Sequence, residues 1–293
     1  MTYLARIKFI PFYALSILPM RVLYGMSTLS FMILYYLIKY RRGVVTCNMQ
    51  KSFPAKSELE IGLMEKNFYR HFCDLMFESV KVLTISKKEL KKRFHVKNPS
   101  LVQKFYDEKR SIVLYTAHHG NWEWLAFLPL YIPHQATAFY QPQSNKYFDS
   151  LMKLLRERFG VICVESNRGY KAILEFDQKN ILTMNYIIGD QSPRKDSTKH
   201  WIQFLNQDTA FLIGADRIAK KSNQVVMFPS YSKKTRGHYE IEFKVIEEEC
   251  MKKEGYEIID KYAQLLEESI KSSPEMWLWS HRRWKLGCRK TVY

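Results

Sequence analysis

Hydrophobic and polar positions along the chain fall into three successive patterns. The first is an uncharged apolar stretch from Val22 to Ile38. In the second, over residues 57–93, apolar residues recur every three or four positions, which predicts one amphipathic helix that begins with Ser57 and Glu60 as a capping box. In the third, short apolar runs of strand length alternate with helical stretches. We therefore expect an apolar N-terminal segment, a long helix and an α/β region.

The third pattern predicts the fold class. Its predicted strands are SIVLYTA, TAFY, VICVES, ILTMNYII, QVVMFPSYS and HYEIEFKVI. Its predicted helices begin at Trp122 and Tyr170 or cover 145–159, about 210–221 and about 255–272. This alternation is typical of an α/β fold with a mainly parallel central sheet flanked by helices, in which active sites lie at the carboxyl ends of strands. HYEIEFKVI alternates with a period of two, so we expect it to run antiparallel.

The stretch from Val22 to Ile38 is near the lower length limit for crossing a membrane, because a hydrocarbon core of roughly 30 Å needs about 20 helical residues. It can span the membrane or lie in its interface. We predict that residues 1–42 form an N-terminal membrane-anchoring segment with a hydrophobic helix, and that residues 43–293 form the catalytic domain. Basic residues flank the stretch, and the positive-inside rule favours a cytoplasmic position for the body of the protein. A buried core helix is the alternative.

The charge and composition of the chain limit the classes of partner that it is expected to bind. Lys and Arg outnumber Asp and Glu by 46 to 29, which gives a formal net charge of +17. Such a surface attracts nucleic acid, anionic lipid or an acidic protein. Because the chain is also 15% aromatic and has an apolar N-terminal stretch, we expect an anionic membrane surface and no nucleic acid. A basic nucleic-acid-binding protein is the alternative class of function, but the sequence carries no motif of that class.

Five cysteines are scattered through the sequence, without a CxxC pair or a histidine at zinc-ligand spacing: Cys47, Cys73, Cys163, Cys250 and Cys288. Their odd number and wide spacing indicate a reducing compartment and no structural metal. A lone cysteine without a motif is usually a small buried hydrophobe, so we expect none of them to be a nucleophile.

Candidate chemistry follows the strand SIVLYTA, where the sequence HHGNWE places His118 and Glu123 five positions apart. Five positions along a continuous helix rotate by about 140° beyond one turn, so the two side chains meet only if the chain turns between them. Gly120 can adopt a positive φ, and Asn121 can cap a helix that begins at Trp122. We therefore expect His118 on a loop, facing the carboxylate of Glu123.

A histidine paired with a carboxylate is suited to general-base catalysis. The carboxylate fixes the tautomer of the imidazole, raises its basicity and stabilises the imidazolium that forms. A substrate hydroxyl activated in this way can attack a thioester directly, with nearby donors stabilising the oxyanion and no serine nucleophile. His119 is the competing base, but it points elsewhere if Gly120 turns the chain. Taken as a bare pattern, a histidine and a glutamate at a strand end also arise by chance.

The segment HHGNWEW resembles the H-x4-D/E motif of glycerolipid acyltransferases, and its GNWEW context is similar to that of the bacterial lipid A biosynthesis acyltransferases. Four further segments resemble that family: RRGVVTCNMQKSFPAKS, YQPQSNKYFDSLMKLLRERFG, GDQSPRKDSTKHWIQFLNQDTAF and PEMWLWSHRRWK. Together the similar segments reach from about residue 41 to 285. This resemblance implies a glycerolipid acyltransferase-like fold and transfer of a lauroyl or myristoyl chain from acyl carrier protein.

Carried onto this sequence, the resemblance implies catalysis by His118 and Glu123, with no cofactor and no metal. It implies contacts with the acyl chain or the acceptor for four residues: Asn145, Asp190, Gln191 and Arg194. Many members carry Arg where this sequence has Gln141, so a cationic contact is either missing here or supplied by Arg194. The segment DQSPRK follows an apolar run and is expected at the same rim as His118, although its composition also suits an ordinary turn.

The implied function is O-acyl transfer at the cytoplasmic face of the inner membrane, from acyl carrier protein to a hydroxyl of a lipid A precursor or related acidic lipid. An amino-acid lipid or a lysophospholipid is the alternative acceptor. A lipid-binding module without catalysis is a further alternative, which the intact His118 and Glu123 argue against. The segment SHRRWKLGCRK combines cations with Trp284, which fits an interfacial patch, a docking face for an acidic carrier protein or a solvated tail.

Overall fold

The structure is a computed structural model that describes residues 7–197 and 199–287. Cys288 and the end of the segment SHRRWKLGCRK lie outside the described residues. Within them, nine strands are present: β1 (Phe94–Val96), β2 (Ile112–Thr116), β3 (Gln135–Tyr140), β4 (Ile162–Glu165), β5 (Thr183–Ile188), β6 (Lys199–Phe204), β7 (Gln207–Leu212), β8 (Val225–Thr235) and β9 (His238–Glu247). Seven of these form one sheet in the order β1-β9-β8-β2-β5-β3-β4, and β6 and β7 form a separate hairpin.

The central part of the large sheet is parallel. Ile112 in β2 pairs with Met184 in β5 on one side and with Val225 in β8 on the other. β3 continues the parallel arrangement between β5 and β4. β9 runs antiparallel to β8, with Tyr231 opposite Ile241, as its alternating sequence predicts. The structure therefore confirms an α/β fold with a mainly parallel central sheet.

Helices cover both faces of this sheet. The α-helices are α1 (Ile10–Ile17), α2 (Met20–Met32), α3 (Arg42–Ser52), α4 (Glu58–Lys81), α5 (Lys87–Arg93), α6 (Pro99–Asp107), α7 (Lys146–Glu157), α8 (Gly169–Gln178), α9 (Gly214–Ser222) and α10 (Glu257–Ser272). A π-helical turn, Ile33–Leu37, extends α2. The 3₁₀-helices are Trp122–Leu130, Ser166–Arg168, Cys250–Lys252 and Pro274–Met276.

Strand β2 shows how the sequence builds the two halves of the core. All five of its residues are buried. Val113 and Tyr115 pack with α4 and α10 on one face, whereas Ile112 and Leu114 pack with the 3₁₀-helix Trp122–Leu130 on the other. Because alternate side chains of a strand point to opposite faces, one continuous apolar run supplies both cores.

The predicted bounds of two helices were wrong. The helix expected over 57–93 begins with the predicted capping box at Ser57 but ends at Lys81, and a second helix begins after Ser86, whose side chain accepts a hydrogen bond from Glu89 N. Between them the Thr84 hydroxyl donates to Ser16 O, so a tertiary contact holds the break.

The helix expected over about 210–221 begins only at Gly214, because the preceding residues form the β6–β7 hairpin. Leu205 and Asn206 make its two-residue turn with φ of 50° and 60°. This geometry belongs to a type I′ turn, which usually carries Asn-Gly. The turn therefore gave no recognisable signal in the sequence.

The N-terminal helices lie on the outside of α4. In the part of the chain that the structure describes, no single helix has both the length and the apolar character needed to cross a membrane. Residues Ile10–Ile17 and Met20–Leu37 meet that criterion only as a pair, and the pair is bent by 113°. The membrane-anchoring role of residues 1–42 thus stays a prediction.

Candidate active site

The candidate site is built on the turn that follows β2. Gly120 has a φ of +69°, and a Cβ atom there would lie 2.4 Å from Cγ of Tyr231, so only glycine fits. The Asn121 side chain accepts a hydrogen bond from Trp124 N and caps the 3₁₀-helix that begins at Trp122. Both residues thus adopt the local roles that the sequence predicted. The turn leaves His118 on a loop at the carboxyl edge of the parallel strands.

The partner of His118 in the structure is Asp190, which lies two residues after the end of β5. The two Oδ atoms of Asp190 accept hydrogen bonds from His118 Nδ1 at 2.8 Å and from His118 N at 2.9 Å. Trp277 Nε1 donates to the same carboxylate at 2.8 Å. DQSPRK therefore lies at the rim of His118, as predicted from its position after an apolar run.

Electrostatics fix the tautomer of His118. Burial alone would raise the pKa of Asp190, but the charge of His118 and the hydrogen bonds from His118 and Trp277 lower it to about 2. An ionised carboxylate only accepts hydrogen bonds, so the proton of the neutral imidazole lies on Nδ1. Nε2 then presents its lone pair on the opposite side of the ring, as a general base requires.

Nε2 of His118 faces an open cleft. Gln191 Nε2 lies 3.3 Å from it and can donate to the lone pair. The Trp122 ring stands edge-on to the imidazole at 5.2 Å between ring centroids. The cleft has a volume of about 890 Å³, and His118, Gln141 and Arg194 line it. A substrate hydroxyl that displaced the Gln191 amide would therefore meet the base directly.

Glu123 occupies a different position from the one expected. Its carboxylate accepts two hydrogen bonds from Arg156 on α7, from Nε at 3.0 Å and from Nη2 at 2.7 Å. Burial would raise the pKa of Glu123, but the Arg156 guanidinium outweighs this effect and lowers it. The hydrogen-bonded carboxylate at the imidazole is therefore that of Asp190. A direct catalytic role for Glu123 stays a prediction.

Arg156 was missed by sequence reasoning, although it lies within a segment that resembles the family. It lines both the cleft and a small apolar cavity of about 40 Å³ beneath it. Leu125, Ala126 and Val161 contribute to the wall of that cavity. Arg156 thus lies where the polar cleft meets the apolar cavity, and its partner Glu123 lines the cavity.

The other predicted site residues divide into two groups. Gln191 and Arg194 line the cleft with His118. Asn145 instead caps α7, where its side chain accepts hydrogen bonds from Tyr147 N and Phe148 N. His119 is buried and turned away from the cleft, with Nε2 3.4 Å from Ser273 O. Burial lowers the pKa of His119 to about 4, so this side chain stays neutral at physiological pH.

Residues far away in the sequence hold the site in place. Glu78 of α4 is fully buried, and its Oε2 accepts hydrogen bonds from Asn121 Nδ2 at 2.7 Å and from Tyr239 OH at 2.9 Å. Its Oε1 accepts from Tyr24 OH on α2 at 2.9 Å. Burial and the nearby Asp74 raise the pKa of Glu78 to about 7. A buried glutamate on a helix gives no sign of these partners in the sequence.

The segment PEMWLWSHRRWK anchors the Asp190 loop from the other side. Trp277 bonds to Asp190, and Ser192 N donates to His281 Nε2 at 3.1 Å. Arg283 is buried, and its Nη2 donates to Ala210 O at 2.7 Å in β7. This segment therefore positions the loop opposite His118.

This protein therefore has an α/β fold in which a histidine is hydrogen-bonded to a carboxylate at the carboxyl edge of the parallel strands, an arrangement that can serve as a general base. The sequence model of one family, described as bacterial lipid A biosynthesis acyltransferase, matches residues 2–286. The chain belongs to this family, which confirms the resemblance of its motifs. A lipid A biosynthesis acyltransferase from Haemophilus influenzae is 27% identical over 210 residues, which are 70% of this chain and 64% of the relative. The match thus spans less than two thirds of the relative's length.

Proposed function

We propose that this protein is an O-acyltransferase that moves a fatty acyl chain from an acyl carrier protein thioester to a hydroxyl of a lipid A precursor. The reaction takes place at the cytoplasmic face of the inner membrane. One observation carries the proposal: His118 donates from Nδ1 to the ionised Asp190 and directs Nε2 into an open cleft. Family membership supports the acyl transfer and the lipid A acceptor.

The chemistry is a single displacement. The acceptor oxygen attacks the thioester carbonyl carbon while its proton moves to Nε2 of His118. The tetrahedral intermediate then collapses with cleavage of the C–S bond, and the imidazolium returns the proton to the departing thiolate. Asp190 stabilises the imidazolium between these steps. Arg194 lines the cleft and supplies positive charge that stabilises the oxyanion or an acceptor phosphate. Many relatives have an additional Arg at the position of Gln141, which also lines the cleft.

The two substrates approach from different sides of the ion pair between Glu123 and Arg156. The apolar cavity beneath this pair receives the first carbons of the acyl chain, and deeper binding requires movement of its lining side chains. The carrier protein docks on a basic rim beside the cleft. Four cations of this rim surround a cavity of about 540 Å³: Arg194, Lys195, Lys199 and Lys285. Their charge complements an acidic carrier protein.

Membrane attachment is supported by an apolar stripe on the outside of the N-terminal helices. Its exposed residues follow one another at intervals of three or four positions: Val22, Met26, Leu29, Ile33 and Leu37. A helix with such a stripe and basic neighbours lies in the interface of an anionic membrane. This position brings the cleft within reach of a lipid acceptor.

The acceptor is tested by transfer assays with purified protein in detergent micelles, with a labelled acyl carrier protein thioester as donor. Three acceptors are compared by mass spectrometry: a lipid A precursor, an amino-acid lipid with a free hydroxyl and a lysophospholipid. We expect the label on the lipid A precursor. Transfer confined to one of the other two would overturn the acceptor, and no transfer to any of them would overturn the reaction.

A further inference from the structure

A further cavity lies between α2, α4 and the end of β8. Its volume is about 680 Å³. Its lining includes four cations, Arg70, Lys233, Lys234 and Arg236, and two carboxylates, Asp74 and Glu275. The cavity therefore has an excess of positive charge, and it belongs to neither the cleft nor the basic rim. We call it the α2–β8 pocket.

Some charged groups of the α2–β8 pocket are paired with an opposite charge, whereas others are not. The buried Asp74 is held by Arg236, with Nη2 to Oδ1 at 2.6 Å, and by Ser27 Oγ at 2.6 Å. This pair is structural. Arg70 donates to Asn67 Oδ1 at 3.4 Å and lies over the ring of Phe31, and it takes part in no salt bridge within residues 7–197 and 199–287. Its side chain is exposed, so the guanidinium can bind an anion.

Lys234 is the second available cation. It pairs with Glu240 across the β8–β9 ladder at 3.2 Å, but 59% of its side chain is exposed. An exposed pair of this kind contributes little, so an anion with two charges can draw the ammonium group away. Arg70 of α4 and Lys234 of β8 are thus two cations from different elements among the residues that line one pocket. Arginine and lysine in this arrangement suit a phosphate group.

The position of the pocket favours a phospholipid over a soluble phosphate as its ligand. Met32 and Phe31 of α2 line its wall, and Met32 is half exposed next to the apolar stripe at Leu29 and Ile33. When the stripe lies in the acyl region of a membrane, the mouth of the pocket is at headgroup depth. A soluble phosphate would use only the cations, whereas a phospholipid would use the cations and the apolar wall together.

We propose that the α2–β8 pocket binds the phosphate of a phospholipid headgroup that does not react, and so seats the protein on an anionic membrane. The inference rests on the membrane attachment proposed above, but not on the acyl transfer. The site is separate from the position of the acceptor, since His118 opens into the other cleft. Its role is to fix the height and orientation of α2 in the interface.

Vesicle flotation of the full chain tests this site, with vesicles of phosphatidylcholine alone and of phosphatidylcholine with phosphatidic acid. We expect tighter binding to the vesicles that contain phosphatidic acid. The double variant Arg70→Gln/Lys234→Gln should lose most of that preference, because each basic residue near an anionic surface contributes about fivefold. Its binding to neutral vesicles should not change, since the stripe is intact.

The double variant Lys104→Gln/Lys252→Gln is the matched control. It removes the same charge from exposed lysines that pair with Glu248 and Glu249, at the opposite end of the β8–β9 ladder. We expect this control to keep the preference. If both double variants lose it equally, the attraction is a property of total charge and the pocket is not a site.

Further experiments distinguish a lipid phosphate from free phosphate, and failure of the pocket from failure of the proposed reaction. Inorganic phosphate should leave vesicle binding unchanged; if it displaces the protein, the pocket is a site for free phosphate instead. Absence of any preference in the unmodified protein would also overturn the proposal. His118→Ala should bind vesicles as the unmodified protein does while losing acyl transfer, so failure of the pocket and failure of the reaction give different results.

Discussion

At the scale of residues, the centre of this protein is the contact between His118 and Asp190. The motif in the sequence pointed to the histidine, to the glycine that turns the chain and to the asparagine cap, because these effects are local. It did not show which carboxylate bonds to the histidine, because 72 residues separate His118 from Asp190, although the apolar run before DQSPRK placed Asp190 at the same rim. Only the parallel pairing of β2 with β5 brings the ends of these strands together. The nearer Glu123 is held instead by Arg156.

Asp190→Asn tests this contact. We expect kcat to fall by about a thousandfold or more, because the amide neither stabilises the imidazolium nor enforces the tautomer. Steady-state kinetics measure this loss, and KM should change much less than kcat. An unchanged kcat would remove Asp190 from the mechanism.

Gly120→Ala tests the turn. The new methyl group would collide with Tyr231 in a backbone conformation that alanine rarely adopts. We expect the free energy of unfolding to fall by about 1–3 kcal/mol and transfer activity to fall with it. Gly62→Ala in α4 is the control, since nothing lies within 4 Å of its Cβ position and alanine favours a helix. Equal stability of the two variants in denaturant unfolding would contradict the account.

At the scale of elements, α4 links the N-terminal helices to the turn that follows β2. Tyr24 of α2 and Asn121 of the turn donate to opposite oxygens of the Glu78 carboxyl group. The amphipathic pattern located α4 and its capping box. Its end at Lys81 and the β6–β7 hairpin were not predictable, because a tertiary contact at Thr84 and a turn without glycine determine them. β1 was missed because it has only three residues, and α6 because it is short and mixes polar with apolar residues.

Glu78 gives this link a pH dependence. Its pKa is raised from 4.5 to about 7, so its protonated form is favoured in the folded state. The folded state therefore binds more protons than the unfolded state between these values, and the contribution of Glu78 to stability falls as pH rises from about 4.5 to 7. Glu78→Gln lacks this titration. The free energy of unfolding of the variant, relative to that of the unmodified protein, should therefore rise by on the order of 3 kcal/mol from pH 4.5 to pH 7.

Denaturant unfolding at several pH values measures this difference directly. A difference in the free energy of unfolding that stays constant from pH 4.5 to pH 7 would show that Glu78 does not titrate there. Glu89→Gln serves as the control, because Glu89 is partly exposed on α5 and its pKa is lowered, mainly by its hydrogen bond with Arg93. The difference in the free energy of unfolding between Glu89→Gln and the unmodified protein should change with pH only below pH 4.5, because a carboxyl group with a depressed pKa loses its stabilising contribution there.

At the scale of the whole molecule, the protein has a polar cleft at one edge of its sheet and an apolar stripe on its N-terminal helices. The order of elements in the sequence predicted the parallel sheet and the edge that carries the site, because strand–helix alternation permits few arrangements. The sequence also showed that residues 22–38 are apolar. It did not show that one face packs on α4 while the other is exposed, since both faces carry similar residues.

The measurement that tests the central claim most directly is acyl transfer from an acyl carrier protein thioester to a lipid A precursor by His118→Ala. General-base catalysis contributes about a hundredfold to ten-thousandfold, so we expect kcat to fall by this factor while the melting temperature stays near that of the unmodified protein. His95→Ala, which removes an exposed histidine from β1, should keep full activity. Full activity of His118→Ala would contradict the account.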